Sequence, residues 1–323
     1  LVDKAVAEGM RGMAITDHGN MFGIKEFFDY SKSVNKKLKE EGKEPFKPIF
    51  GCEMYVSRYG KKEKKDGKTD MGGYHLIVLA KNSKGYHNLV KLVSRAWVDG
   101  FYMRPRTDHE DLEKYHEGLI VCSACIAGEV PHKILENDIE GARQSIEWHK
   151  RIFGDDYYLE LQRHEVTDPN VRANRETYPL QQKANKILVE LAREYGVKLV
   201  CTNDCHFVDK DNAEAHDHLL CLATGKDLDD PTRMLYSKQE WFKTREEMND
   251  IFSDIPEALT NTLEILDKVE TYDINHDPIM PFFPIPESFG TEDDIRRKYS
   301  EEDLFREFTS DENGNNPMTD DQA

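Results

Sequence analysis

An α/β fold, with helices covering parallel strands of a sheet or barrel, is what this sequence predicts, and three observations predict it. Short β-branched runs alternate with longer stretches of helical periodicity, the pattern of repeated strand-helix units. Six apolar runs have the length and composition of strands. The length, 323 residues, is enough to bury a sizeable core with an extension beside it.

Six strands are expected, over residues 12–16, 48–56, 75–81, 118–123, 157–162 and 197–203. Amphipathic helices are expected over 22–40, 84–98 (Ser83 as N-cap), 139–153 and 180–195. Residues 1–8 read as the second half of a helix closed by Gly9, so a strand and half a helix are expected to be missing upstream. Residues 58–73 are rich in Lys, Asp and Gly without apolar period, and read as a solvated loop whose lysines serve solubility. The pattern changes near residue 270, which sets domain bounds of 1–270 and 271–323. Residues 278–286 are a Pro-rich extended stretch, 292–308 a polar helix, and 310–323 an acidic tail expected to be disordered. No internal repeat is visible.

Acidic residues outnumber basic ones, 62 to 44, for a formal charge of −18. This excludes a domain whose own surface forms a strong electrostatic footprint for nucleic acid, so any DNA contact is local or made by other parts of a larger protein. No run reaches the roughly 18–20 apolar residues of a membrane helix, and no secretion signal is present, which reads as a cytoplasmic chain. Cys52, Cys122, Cys125, Cys201, Cys205 and Cys221 sit mostly in apolar, strand-like runs, as core thiols or ligands rather than disulfides.

Chemistry concentrates after the apolar runs. Thr16-Asp17-His18-Gly19-Asn20 follows a strand and precedes a helix, where α/β folds present active-site side chains. Read alone, it is equally a capped turn in which Asp17 bonds backbone amides and His18 is merely exposed. Asp204 and His206, alternate residues at the end of the last strand, suit a Zn, Mn or Fe site. Glu53 lies inside an otherwise buried strand and needs a cation, a metal or strong hydrogen bonds; a salt bridge would also satisfy it. His75 opens its strand, which places it poorly for a site at strand C-termini. Cys122 and Cys125 form one Cys-x-x-Cys without a second pair at zinc-ribbon spacing, leaving one thiol free to join a larger site.

His216 and His218 form a decoy, because residues two apart on a helix over 212–223 do not share a face. His87, His109, His116, His132, His149, His164 and His276 lie in polar or helical contexts and read as solvated. No phosphate-binding Gly-x-x-x-x-Gly-Lys loop, Gly-x-Gly-x-x-Gly turn or Gly-x-Ser-x-Gly elbow occurs.

The segments Ile15-Thr-Asp-His-Gly-Asn-Met-Phe-Gly23, Ile49-Phe-Gly-Cys-Glu-Met-Tyr55, His75-Leu-Ile-Val-Leu-Ala-Lys-Asn82, Gly100-Phe-Tyr-Met-Arg-Pro-Arg106, Cys125-Ile-Ala-Gly-Glu129, Tyr158-Leu-Glu-Leu-Gln162 and Thr202-Asn-Asp-Cys-His-Phe207 occur in one order. Together they resemble the PHP (polymerase and histidinol phosphatase) domain of bacterial DNA polymerase III alpha subunits, over roughly residues 1–285. The resemblance implies a distorted seven-stranded α/β barrel holding up to three divalent metal ions (Zn, Mn or Fe), with the first strand absent here. It implies metal-ligand roles for His18, Glu53, His75, Cys125, Asp204 and His206, with Asp17 orienting a ligand from behind. The family's opening His-x-His strand and the aspartate after it would lie upstream of Leu1, so incomplete metal binding is expected.

The activity implied is phosphodiester hydrolysis of the 3′–5′ proofreading type, impaired in this chain. The rival expectations are a scaffold that docks a proofreading exonuclease subunit, and a small-molecule phosphatase of the histidinol-phosphate type. The implied partners, met through a larger polymerase, are DNA, the exonuclease subunit and a sliding clamp, with no membrane. Polymerisation would belong to residues beyond this chain.

Overall fold

A computed structural model describes residues 1–64, 72–166, 176–284, 286–310 and 315. They fall into two compact units, Leu1–Ile274 and Asn275–Ala323. The first unit is an α/β structure on one curled, half-barrel sheet. Its strands are β1 (Gly12–Ile15), β2 (Lys47–Val56), β3 (Tyr74–Ala80), β4 (Arg106–Thr107), β5 (Leu119–Cys122), β6 (Tyr157–Gln162) and β7 (Lys198–Thr202). The sheet order is β1-β2-β3-β5-β6-β7, with β4 paired to β2. All six expected strands form. The seventh, β4, is only two residues long, too short to leave a periodic signal.

One expectation is corrected. Strand β3 runs antiparallel to both β2 and β5, while the β1–β2, β2–β4, β5–β6 and β6–β7 pairs are parallel. Among its described residues the connection between β2 and β3 carries no crossover helix, the usual link of a parallel pair. The reversal decides where His75 lies. The first residues of β3 sit beside the last of β2, with His75 opposite Tyr55 and Tyr74 opposite Val56. The start of β3 therefore shares an edge with the ends of β1, β2, β5 and β7.

Alternation along the strands sorts side chains onto two faces. Outward, Met54, Val78, Val121, Leu159 and Leu199 join Leu89, Leu92, Ile134, Ile146 and Leu188 of helices α3 (Ser83–Val98), α5 (Glu129–Leu135), α6 (Ile139–Phe153) and α7 (Tyr178–Tyr195). Inward, Ile49, Leu79, Ile120, Tyr158 and Val200 are closed off by Ile265, Leu266 and Val269, in and just after helix α10 (Pro256–Lys268). Phe50 anchors a third cluster with Phe27, Phe28 and Val34 of α2 (Ile24–Glu40). The same inner parity, continued past this apolar layer, presents Glu53, His75, Glu160 and Thr202.

Local chemistry moves some expected ends. Asn82, not Ser83, caps α3, its Oδ1 accepting from the Gly85 amide at 3.0 Å. Helix α1 (Val2–Ala7) ends before Gly9, which takes φ +69°. In the second unit the single helix expected over 292–308 is two, α11 (Glu292–Lys298) and α12 (Glu301–Thr309), because Ser300 turns extended and caps the second through the Asp303 amide at 3.0 Å. The loop reading of 58–73 is corrected at one lysine: Lys61 is buried and pairs with Asp111 and, at 3.5 Å, with Asp108. The rest of that loop over 65–71, and the tail apart from Ser310 and Asn315, lie outside the described residues.

Candidate metal centre

The turn after β1 carries His18. Asp17 builds it: its Oδ2 accepts the Gly23 amide at 2.7 Å, and its carbonyl accepts the Glu53 amide at 3.1 Å. The Gly19 amide returns to the Glu53 carbonyl at 2.8 Å. Gly19 has φ +70°, and a Cβ there would press on Tyr55 and Pro105 at 3.0 Å, so the turn closes only on glycine. His18 is thereby stacked on the Tyr55 ring, 4.3 Å between centroids, and meets the His75 ring edge-on at 4.5 Å.

His18, Glu53 and His75 each offer a ligand atom within 4.8 Å of the others. His75 Nδ1 lies 3.0 Å from Glu53 Oε1 and 3.4 Å from Cys125 Sγ, and His18 Nδ1 lies 3.9 Å from Glu53 Oε2. Cys125 is delivered by a tight turn after β5 in which Ala124 takes φ +61° and Gly128 passes so close to the Ser123 carbonyl that a Cβ would collide with it.

Asp204 and His206 follow β7. Asp204 is left-handed at φ +47°, unusual for a residue with a side chain, and His206 Nδ1 lies 2.7 Å from its carbonyl. That contact puts the ring proton on Nδ1 and leaves the Nε2 lone pair, 3.2 Å from the Tyr236 hydroxyl.

Burial dominates the electrostatics. It pulls the His18 imidazole down to about 4, against the opposing pull of Glu53, so the ring is neutral near pH 7. Burial pushes Glu53 up, but the His75 hydrogen bond and the neighbouring imidazoles outweigh it and hold the carboxyl below its usual value. Asp204 is lifted to about 6 by burial and then by the Glu53 charge. Cys125 is raised well above an ordinary thiol by burial, then by Glu53 and Asp204. These effects join the two halves at one end of the half-barrel: the Glu53 charge reaches Cys125 and Asp204, and the His206 imidazole acts on Glu53 and Asp204.

The donor set fits a divalent ion of the zinc class. Ligand atoms bonded at the usual ~2.0–2.3 Å to one tetrahedral ion sit roughly 3.3–3.6 Å apart. Here an imidazole nitrogen, a carboxylate oxygen and a thiol sulfur converge at 3.0 and 3.4 Å, and one Nδ1 proton cannot satisfy both neighbours.

Several neighbours escaped sequence reasoning. Tyr55, Tyr236 and Arg104 lack any local pattern that marks them. Arg104 is exposed, lies over the Tyr55 ring at 5.8 Å, and its charge contributes to lowering His18. Glu160 is fully buried, with burial lifting its carboxyl to about 7 while Thr202 and Gln162 donate to it. His216 lies 5.5 Å from the His206 ring, whereas His218 turns to the Glu214 carbonyl, so the helix does split the pair as expected. Two histidines read as solvated are buried instead: His149, stacked on Tyr157 at 4.9 Å, and His164, bonded to Gln181 and Asn203 at 3.1 Å each. A polar sequence neighbourhood hid both, since burial followed from tertiary packing.

Among the described residues no helix is long and apolar enough to cross a membrane. Comparison with known proteins finds DNA polymerase III alpha subunits. That of Borreliella burgdorferi is 42% identical over 293 residues, covering 90% of this chain and 24% of the relative. That of Treponema pallidum is 34% identical over 310 residues, 95% and 25%. That of Thermus aquaticus is 38% identical over 283 residues, 85% and 21%. The chain thus spans about a quarter of the length of these relatives. Residues 1–164 match the PHP domain, and with the half-barrel and its His-Glu-His-Cys cluster this places the chain in the PHP domain family.

Proposed function

We propose that the chain is the PHP region of a replicative DNA polymerase III alpha subunit and that its centre hydrolyses phosphodiester bonds, in the manner of a 3′–5′ proofreading exonuclease. The observation that carries the reading is the convergence of Glu53 Oε1 and Cys125 Sγ on His75 Nδ1 beside a neutral His18. His18, Glu53, His75, Cys125, Asp204 and His206 would hold divalent ions, Zn, Mn or Fe by donor type. Such ions, when bound, supply Lewis acidity toward a phosphoryl oxygen and an acidified water.

The chain's own residues supply the rest. Asp17 fixes the turn that aims His18. The Asp204 carbonyl sets the His206 tautomer, and Tyr236 holds that ring from its far side. Arg104 offers a guanidinium at the rim, suited to a phosphate oxygen. With a net charge of −18, such local contacts must carry DNA recognition within this chain. Residues 1–270 would make up the PHP domain, and 271–323 would lead toward the polymerase. The exonuclease subunit and the sliding clamp would be met by the larger protein, and a cytoplasmic place fits a replication enzyme.

The test is elemental analysis of the purified chain beside digestion of a mismatched primer end, with His206→Ala as control. Bound metal with His206-dependent cleavage supports the reading. Absence of metal under saturating Zn²⁺ and Mn²⁺ would sink it and leave a scaffold.

A further inference from the structure

We propose that His109, Glu129 and His149 form a second divalent-metal site of the zinc class, on the outer face of the sheet and independent of the centre built on Glu53. The three residues come from three helices, α4 (His109–Lys114), α5 and α6, and their ligand atoms lie within 4.8 Å of one another. Two imidazoles and a carboxylate are the donor types that zinc prefers when thiolate is absent.

Each donor is prepared. Glu129 Oε1 is held by the Lys133 ammonium at 2.8 Å and the Ser145 hydroxyl at 2.7 Å, which leaves Oε2 to face His109 Nε2 at 2.9 Å. His149 Nδ1 lies 2.8 Å from the Ser145 carbonyl, so the proton sits there and Nε2 keeps the lone pair a metal needs. Burial pulls His149 down to about 4, so it is neutral and available. The His109 ring is clamped face to face on Trp148 at 4.0 Å and meets His149 edge-on at 5.7 Å.

A second observation points to a ligand. The ring stacked on His149 belongs to Tyr157, 98% buried, whose hydroxyl has no hydrogen-bond partner among the described residues and feels the Glu129 charge. A buried donor left unmet costs about 1–3 kcal/mol, which a water carried by an ion would relieve. The competing arrangement is a plain ion pair in which a protonated His109 and Lys133 neutralise Glu129.

Zinc titration separates the two. With the inner centre disabled by His18→Ala and His75→Ala, the chain should still bind about one equivalent of Zn²⁺ by calorimetry. Co²⁺ in its place should give the visible absorption of a low-coordinate site. Adding His109→Ala, at a half-exposed position, should abolish both signals, and His149→Phe, which keeps the stack on Tyr157, should do the same in a chain whose circular dichroism is unchanged. No zinc bound once the inner centre is gone, or binding indifferent to His109→Ala, overturns the proposal and establishes the ion pair.

Discussion

Glu53 and His75 meet diagonally across two antiparallel strands: the register sets Glu53 opposite Ile77 and His75 opposite Tyr55, yet Oε1 and Nδ1 close to 3.0 Å. Both side chains share the inner face, and diagonal neighbours on one face are within reach of long side chains. Glu53 is also buried, so its charge depends on this partner.

Removing either partner should therefore hurt twice. Without metal, His75→Ala strands a buried carboxylate and should cost about 2–3 kcal/mol in urea unfolding, while Glu53→Gln should cost less. A double-mutant cycle should return about 1 kcal/mol or more of coupling. With metal, either change should weaken Zn²⁺ binding by more than the roughly 10–100-fold typical of outer partners, read by equilibrium dialysis. Unchanged affinity in both variants would remove Glu53 and His75 from the ligand set.

Glu160 gives a pH dependence. Its carboxyl stands at about 7 in the folded chain, against an ordinary value of 4.5. The stability from keeping it protonated is present in full below 4.5 and is lost as pH rises from there through about 7. The loss amounts to roughly 3 kcal/mol above pH 7, at 1.36 kcal/mol per unit. Metal-free Glu160→Gln should reduce that slope between pH 5 and 7.5, leaving the part that Asp204, lifted to about 6, contributes, and be the more stable protein at pH 8, by chemical denaturation. A slope left unchanged by the substitution assigns the titration to another group.

What the sequence disclosed and what it hid follow one division. Strands and helices with full apolar period were legible because burial on one face writes that period. The direction of β3 was not written in its own residues, and so His75, at the wrong end of a parallel strand, came to lie at the right end of an antiparallel one. Asp204 and His206 were legible because both follow one strand. Tyr236 and Arg104 reach the centre from segments whose approach only the curled sheet decides. His149 and Lys61 misled for the same reason: each sits in a polar stretch and is buried by an element distant in the chain.

Lys61 sits in a buried cluster of charges. Its ammonium pairs with Asp111 and Asp108 in a pocket where all three are buried, and Arg95 Nε reaches both Asp111 oxygens at 3.0 Å. Burial raises Asp111, but the hydrogen bonds from Lys61 and Arg95 outweigh it and hold the carboxyl low. Lys61→Met should destabilise by about 3 kcal/mol, the low end for a broken buried pair because Arg95 remains. Lys62→Met, one position further along the same loop but exposed, should change stability by less than about 0.5 kcal/mol. Equal effects in thermal unfolding would return Lys61 to the solvated class.

Arg104 tests the step from metal binding to phosphate recognition. It follows Met103, held at φ +62°, and lies exposed over Tyr55, whose ring stacks on His18. Its guanidinium is thus near the ligands without being one. If the substrate is a phosphodiester, Arg104→Ala should raise KM by roughly 10-fold or more, as for a lost charge-assisted hydrogen bond, and leave metal content untouched. The salt dependence of single-strand binding should fall by about 0.7 in log–log slope, one phosphate contact fewer. Arg104→Lys should restore the slope, which needs only charge, but not the full KM, which needs the planar fork. A variant that loses metal instead would show that Arg104 acts by shaping the His18 stack, and unchanged KM and slope would place the phosphate elsewhere.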